Sequence, residues 1–146
     1  MRVRVGYPDP QAEMEMLTVH AQPGRIDELE PVVSAAAVRK LIELGRDVHV
    51  ADPIREYVVA LLGKTRSHPH AQLGASPRAG LMLVRGARVA AAADGREYVV
   101  PDDVKELAIP VLAHRIIPTP DAQLSGIDTE DIVSEVLSKT PVPKRL

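Results

Sequence analysis

The stretch Asp52-Pro53-Ile54-Arg55-Glu56-Tyr57-Val58-Val59-Ala60-Leu61-Leu62 carries the clearest structural pattern in this chain. Its large apolar residues recur at intervals of three and four, which places them on one face of an α-helix. Asp52 is a good helix-capping residue, and proline has the fixed backbone angle that suits a first helical turn. We therefore predict a helix that begins at Asp52-Pro53 and packs one face into a core.

Similar start signals occur along the rest of the chain. A capping residue precedes proline at Asp9-Pro10 and at Ser76-Pro77, acidic residues follow Pro101, and Ser34 and Asp128 or Thr129 are caps without a proline. The predicted helices cover about 10–21, the residues from Ser34 to a stop at Gly45, those from Ser76 to Asp94-Gly95, those from Pro101 onward and those after Asp128. The stripes that support them are Met14, Leu17 and Ala21; Val38, Leu41 and Ile42; Leu81, Val84 and Ala91; Val104, Leu107, Ala108, Val111 and Leu112; and Ile132, Val133, Val136 and Leu137.

Interruptions and short extended segments complete the predicted fold. Pro110 should kink or split its helix near Glu106, and residues 25–33 and 117–127 are predicted loops. Met1–Val5 alternates like a strand, and is either a flexible end or part of a sheet outside this chain. We predict that residues 48–50 and 98–100 pair as a tiny two-stranded sheet, with two unpaired loops as the alternative. The fold class is an all-α helical bundle of about five or six helices.

Composition excludes several functional classes. The chain has 146 residues, enough for one domain, and a net charge of -2 from 18 basic and 20 acidic side chains. A domain that mainly holds nucleic acid needs a basic excess, so we expect no nucleic-acid partner. The absence of cysteine excludes disulfides, thiolate zinc sites and thiol nucleophiles. No apolar run reaches the roughly 18 residues of a membrane span, so we expect a cytoplasmic protein without membrane insertion.

Three local patterns could carry chemistry. Gly63-Lys64-Thr65 resembles the end of a phosphate-binding loop, but Val58 stands where that signature requires glycine. His68 and His70 supply only two ligands, which do not close a metal site, so we interpret them as surface loop residues. Arg78 follows a predicted helix start, where the dipole disfavours a cation unless an anion binds there. An arginine that only contacts solvent is the alternative interpretation.

Five motifs occur in a fixed order along the chain. They are Arg4-Val5-Gly6-Tyr7-Pro8-Asp9, Thr65-Arg66-Ser67-His68-Pro69, Leu73-Gly74-Ala75-Ser76-Pro77-Arg78-Ala79, Arg96-Glu97-Tyr98-Val99-Val100-Pro101-Asp102-Asp103-Val104-Lys105 and Val111-Leu112-Ala113-His114-Arg115. Together, from residue 2 to about residue 118, they resemble the lid region of MoxR-type AAA+ ATPases. The resemblance implies that residues 9–139 form a helical lid, that residues 1–8 end the ATPase core and form the junction, and that residues 140–146 form a flexible tail.

The resemblance also implies roles for individual residues. Arg78 corresponds to the sensor-2 arginine, which reaches the γ-phosphate of ATP, with Ser76 and Pro77 beside it. Tyr7 and Pro8 are expected on the adenine side of the nucleotide. The family's Walker motifs, sensor 1 and arginine finger precede this region and do not occur in the sequence. We therefore expect a lid that is inactive without its core.

Cofactors and partners follow from the same resemblance. ATP and Mg²⁺ are expected in the full-length protein, with none bound by this chain alone and no structural metal. The implied partners are its own AAA+ core, neighbouring subunits of a ring oligomer and von Willebrand factor A-type client proteins remodelled in a chaperone-like way. A stand-alone helical protein-binding module without a nucleotide role is the alternative. A helical DNA-binding domain is a third hypothesis, which the net charge disfavours.

Overall fold

The computed structural model of the chain describes residues 1–19 and 30–143, without the side chain of Val19. These residues form α1 (Pro10–Val19), α2 (Ala35–Asp47), α3 (Asp52–Arg66), β1 (Ala71–Leu73), α4 (Pro77–Ala93), α5 (Pro101–Leu112), a 3₁₀ turn (Ala113–Arg115), β2 (Ile117–Pro118), α6 (Pro120–Leu124) and α7 (Thr129–Lys139). The predicted all-α class is confirmed. None of these helices is long and apolar enough to cross a membrane.

The core lies where α3, α4, α5 and α7 meet. The predicted face of α3 is confirmed, since its five large apolar residues are at most 5% exposed. α7 contributes Ile132, Val133 and Val136, and α5 contributes Val104, Ala108, Val111 and Leu112. Burial of these side chains is what stabilises the bundle, because single short helices are marginal in water.

Three of the predicted helix caps are confirmed by their hydrogen bonds, whereas Asp52 follows the N-cap Ala51 as the first residue of α3, and the Ser76 side chain makes no capping bond. Asp9 Oδ1 accepts hydrogen bonds from Gln11 N–H and Ala12 N–H, both at 2.9 Å. Ser34 Oγ accepts from Ala37 N–H at 3.1 Å, and Asp128 Oδ1 accepts from two amides at the start of α7. Local side-chain chemistry alone therefore located these ends.

Three predicted helix details are wrong. α2 continues past Gly45 to Asp47. Gly45 is buried against α4, so closely that a Cβ at this position would lie 3.3 Å from Val89 Cγ2. On α4, Ala91 of the predicted stripe is buried, but Leu81 is 60% exposed, and the buried side is completed by Ala79, Gly80, Leu83 and Ala87. α5 is not split near Glu106 but continues through Pro110 to Leu112, because the missing N–H costs one hydrogen bond near the helix end; a kink at Pro110 stays a prediction.

The extended segments pair differently from the prediction. Residues 48–50 and 98–100 do meet, through one parallel bridge between His49 and Tyr98, with His49 N–H donating to Glu97 O at 2.8 Å. The two-stranded sheet is instead antiparallel and joins β1 to β2. The predicted loop at 117–127 is therefore wrong, since it contains β2 and α6.

The chain ends complete the comparison with the prediction. Residues 1–9 form no helix or strand, and Thr140 is buried after α7. Ala21, most of the predicted loop at 25–33, and residues 144–146 lie outside the described residues.

Candidate functional site at the start of helix α4

The start of α4 presents an exposed cation beside an open backbone donor. Ser76 occupies the N-cap position, Pro77 follows it, and both are exposed together with Arg78. The Ser76 side chain caps none of the first amides, Pro77 has no N–H, and Ala79 N–H donates to Ser76 O at 2.9 Å, so among the described residues the amide left open here is that of Arg78. Arg78 forms no ion pair within residues 1–19 and 30–143. This arrangement suits an anion such as a phosphate group.

The end of α3 fixes this helix start in place. Thr65 is fully buried, and its Oγ1 donates to Leu62 O at 2.7 Å while accepting from Ala75 N–H at 3.0 Å. Arg66 Nε donates to Ala75 O at 2.8 Å. Both backbone groups of Ala75, one residue before the cap, are therefore held by consecutive residues of α3.

Gly74 allows the chain to make this close turn. A Cβ at residue 74 would lie 2.5 Å from the backbone N and Cα of Arg66, closer than any real side chain can approach. Glycine is therefore required by space at this position. The Thr65-Arg66 and Gly74-Ala75 pairs of the two motifs form one joint between α3 and α4.

The net charge of α4 adds to the positive potential at its start. Residues 77–93 contain Arg78, Arg85 and Arg88 and no acidic residue. The macrodipole adds partial positive charge at the same end, which favours a bound anion and disfavours a free cation. The local electrostatics therefore agree with the sequence-based prediction of an anion site at Arg78.

Tyr7 and Pro8 are not joined to this site. Tyr7 is 97% exposed, and its segment is attached elsewhere, through Arg2 N–H donating to Pro110 O at 2.7 Å and an Arg4–Glu130 ion pair at 2.7 Å. No hydrogen bond or ion pair connects residues 1–8 to residues 76–78 in the part of the chain that is described. Their predicted place beside adenine stays a prediction.

The histidine pair has a structural role that the sequence did not predict. His68 is only 9% exposed, so its interpretation as a surface residue is wrong. Its Nδ1 accepts from His70 N–H at 3.2 Å, and its Nε2 lies 3.4 Å from a Glu135 oxygen of α7. Among the described residues, no three His, Asp or Glu side chains are grouped as metal ligands. His68 thus links the end of α3 to α7.

Arg96 and Asp103 hold the turn between α4 and α5. The Arg96 guanidinium donates to both Asp103 oxygens, at 2.6 and 2.8 Å, and to Asp94 and Tyr98 O. Burial by itself raises the pKa of the Asp103 carboxyl. The hydrogen bonds from Arg96 and Val100 N–H together outweigh burial, so the pKa of Asp103 lies below its ordinary value. The Arg96–Lys105 motif is therefore a structural clamp.

Sequence reasoning missed the residues that position the site. Thr65 and Arg66 were considered only as part of a rejected phosphate loop or as a motif match, and Arg96 and Asp103 only as a motif match. The available signal was the polar residues at the helix ends, because polar side chains that a fold buries find hydrogen-bond partners, often in the backbone of a turn. Which partner each polar group finds depends on the tertiary fold.

Comparisons with known proteins agree with this architecture. The sequence profile of the AAA lid domain family matches residues 63–136. A Bacillus subtilis protein named YeaC, itself uncharacterised, is 38% identical over 142 residues, which cover 97% of this chain and 44% of that protein. The chaperone MoxR1 of Mycobacterium tuberculosis is 30% identical over 152 residues, which cover 98% of this chain and 40% of that protein.

One solved structure shares the fold. It is a crystal structure of a protein provisionally designated an ATPase from Cytophaga hutchinsonii, with a TM-score of 0.83 and 28% sequence identity. The match covers 99% of this chain and 46% of the other. This chain thus spans less than half the length of each of these three proteins.

Proposed function

The chain belongs to the AAA lid domain family, in the form found in MoxR-type AAA+ ATPases, and we propose that it covers ATP bound by an ATPase core. In this proposal residues 9–139 form the lid and residues 1–8 the junction with the core. Arg78 is the sensor-2 arginine. The observation that carries the proposal is the exposed Arg78, which forms no ion pair within residues 1–19 and 30–143 and lies at the uncapped start of α4.

Arg78 acts on the γ-phosphate by charge and position. A guanidinium and a helix start that converge on one anion stabilise negative charge, and the charge of ATP hydrolysis develops at the γ-phosphate. Ser76 and Pro77 shape the approach, because the Ser76 side chain leaves the Arg78 N–H uncapped and Pro77 brings no N–H of its own. Mg²⁺ belongs to the core in this proposal, together with the motifs that this sequence lacks.

Loss of the γ-phosphate converts hydrolysis into motion of the lid. The contact with Arg78 exists only while the phosphate is present, so its release removes a restraint on the lid. The joint between Thr65-Arg66 and Gly74-Ala75 transmits the change to α3, because Ala75 is bonded on both backbone groups. α3 in turn packs on α4, α5 and α7, so the lid moves as one body.

The wider machine is proposed by analogy with the relatives. A similar protein carries the name chaperone, which supports a role in chaperone-like remodelling of partner proteins. The proposed contacts are the lid's own AAA+ core, neighbouring subunits of a ring, and von Willebrand factor A-type clients. The cytoplasmic location expected from the sequence stays a prediction.

The test compares ATP turnover of the full-length protein with and without Arg78. We expect Arg78→Ala to lower turnover severalfold or more, since one preorganised charge contributes a few kcal/mol at a transition state. Arg55→Ala is the matched control, because Arg55 also lies in the first turn of a helix with a proline start but pairs with Asp52. Unchanged turnover of Arg78→Ala, or an equal loss in Arg55→Ala, would contradict the sensor-2 role.

A second measurement separates the lid from a stand-alone binding module. We expect no ATP hydrolysis by residues 1–146 alone. Once an ATPase core is joined to this chain, we expect ATP turnover that falls when Arg78 is replaced. Hydrolysis by the purified chain itself would contradict the lid assignment. Full activity of the core with this region removed would favour the protein-binding module.

A further inference from the structure

An apolar groove lies between α2 and α4, near the end of α4 that is far from Arg78. We call it the α2/α4 groove; it has a volume of about 830 Å³, and Leu41, Leu44, Val48 and Val89 line it. Leu41, Leu44 and Val89 are 60%, 52% and 60% exposed, so the described residues leave these side chains largely in solvent. Exposed apolar surfaces that are rimmed by polar residues are typical of sites where a protein binds a partner.

The charged residues that line the groove make it acidic. They are Asp47, Glu97 and Arg96. The charge of Arg96 is already compensated, because its guanidinium pairs with Asp94 and Asp103. Asp47 and Glu97 are exposed, and neither forms an ion pair within the part of the chain that the structure describes. The groove therefore complements a segment that combines apolar side chains with lysine or arginine.

The ATPase core of the proposed function lies at the other end of the same helices. Arg78 precedes Val89 by eleven residues, which corresponds to about 16 Å along α4. α5 runs back beside α4, since a Cβ at Gly86 would lie 3.0 Å from Leu107 Cδ1 near the middle of each helix. The junction segment is bonded near the end of α5, at Pro110 O. The start of α4 and the end of α5 thus form the end that faces the core, and the groove lies at the opposite end.

We propose that the α2/α4 groove binds an amphipathic helix of a separate partner protein, one that carries lysine or arginine beside its apolar side. The apolar side chains enter beside Leu41, Leu44 and Val89, and the basic side chains pair with Asp47 and Glu97. Helices that bind in grooves are anchored by apolar residues at i, i+3, i+4 and i+7, which match such a cleft. The choice of a separate partner over the chain's own core rests on the proposed function, because it depends on Arg78 facing the nucleotide.

The first test measures binding of a fluorescent synthetic helix of leucine and lysine, with one apolar side, to the 146-residue chain by fluorescence anisotropy. We expect saturable binding of one peptide per chain. A peptide with glutamate in place of lysine, and a scrambled peptide without an apolar side, should each bind about tenfold more weakly or worse. Equal affinity for the scrambled peptide would overturn the proposal, because charge alone would then explain the binding.

Charge reversal on the chain locates the site. Asp47→Lys combined with Glu97→Lys should weaken binding of the leucine–lysine peptide by about tenfold or more. Glu106→Lys combined with Asp121→Lys is the matched control, since it makes the same charge change at two exposed positions that do not line the groove. The control should bind as the wild type does, and an equal loss in both double variants would contradict binding in the groove.

The second test places a single cysteine in a chain that has none. Val89→Cys in the groove and Val59→Cys on α3 are matched, because the two valines are 60% and 66% exposed. Each variant is mixed with leucine–lysine peptide that carries a cysteine on its apolar side. We expect the disulfide to form severalfold faster at residue 89, and equal rates would overturn the proposal.

Two further measurements exclude other occupants of the groove. Sedimentation of the chain alone should show no association that Asp47→Lys abolishes, since such association would mean that a second copy fills the groove. Full-length protein should bind the peptide as tightly as the 146-residue chain does, and loss of binding there would mean that the core covers the groove. Peptide binding needs no nucleotide, so it can fail while Arg78→Ala still lowers ATP turnover.

Discussion

At the scale of single residues, the Thr65 hydroxyl is the contact that most directly positions Arg78. Thr65→Val keeps the side-chain shape but leaves Ala75 N–H without its acceptor at 3.0 Å in a fully buried place. An unpaired buried donor costs about 1–3 kcal/mol, so we expect the free energy of unfolding to fall by that amount in urea titrations. Thr65→Ser, which keeps the hydroxyl, should lose only about 0.8 kcal/mol for the missing methyl.

The same substitution has a functional consequence that distinguishes positioning from stability. Full-length protein carrying Thr65→Val should bind ATP but turn it over more slowly, because the start of α4 is no longer held at Ala75. Thr65→Ser should rescue turnover. If both variants hydrolyse ATP at the wild-type rate, the joint between α3 and α4 does not position Arg78.

Asp103 gives the molecule a defined response to acid. Its folded-state pKa lies below the ordinary value of about 3.9, so the folded state resists protonation more than the unfolded state does. The stabilisation is thus fully present above the unfolded pKa and is lost as pH falls through the folded pKa. We expect thermal melts below about pH 4 to lose stability more steeply for the wild type than for Asp103→Asn. Equal slopes would show that the Arg96 clamp is not the acid-sensitive contact.

At the scale of elements, the contact between α3 and α4 depends on a missing side chain. A Cβ at Gly80 would lie 2.6 Å from Leu62 Cδ1 and 3.5 Å from Val58 Cγ1, two buried neighbours with little room to move. Gly80→Ala should therefore destabilise the fold by about 1–3 kcal/mol through overpacking. Gly63→Ala is the matched control, because a Cβ in that helical position meets open space. This substitution should raise the free energy of unfolding by about 0.8–1.0 kcal/mol. Gly80→Ala with wild-type stability in denaturant would contradict the close approach.

The elements also show what sequence can and cannot predict. Helix starts such as Asp9-Pro10 and Ser34 were predictable because capping is a contact within four residues. The buried side of α4 was predictable only in part: Ala91 lies on the predicted face, whereas Ala79 and Leu83 are buried because the neighbouring helices decide which side is covered. α6 was missed although Thr119-Pro120 repeats the same start signal, because a five-residue helix shows no periodicity.

The candidate site, too, contains residues that sequence can predict and residues that it cannot. Arg78 was predictable from its place after a cap and a proline, because that chemistry is local. Its supports were not, since Thr65 and Ala75 are ten residues apart and the bond between them exists only after α3 and α4 have packed. Sequence therefore identified the group that meets a ligand and left open the groups that hold it.

At the scale of the whole molecule, α4 joins the candidate site to the core. Arg78 at its start faces the nucleotide in the proposed function, and Leu83, Ala87 and Ala91 along the helix are buried against its neighbours. We therefore expect the helices packed around α4 to open as one unit.

Hydrogen exchange followed by mass spectrometry tests this expectation across the chain. Amides of α3, α4 and α5 should open only with global unfolding and be protected by about 10⁴-fold or more, as the usual stability of a domain implies. Amides of α1 should show little protection, because every side chain of this helix whose burial is described is exposed. Fast exchange in α4 while α3 and α5 stay protected would contradict opening of the bundle as one unit.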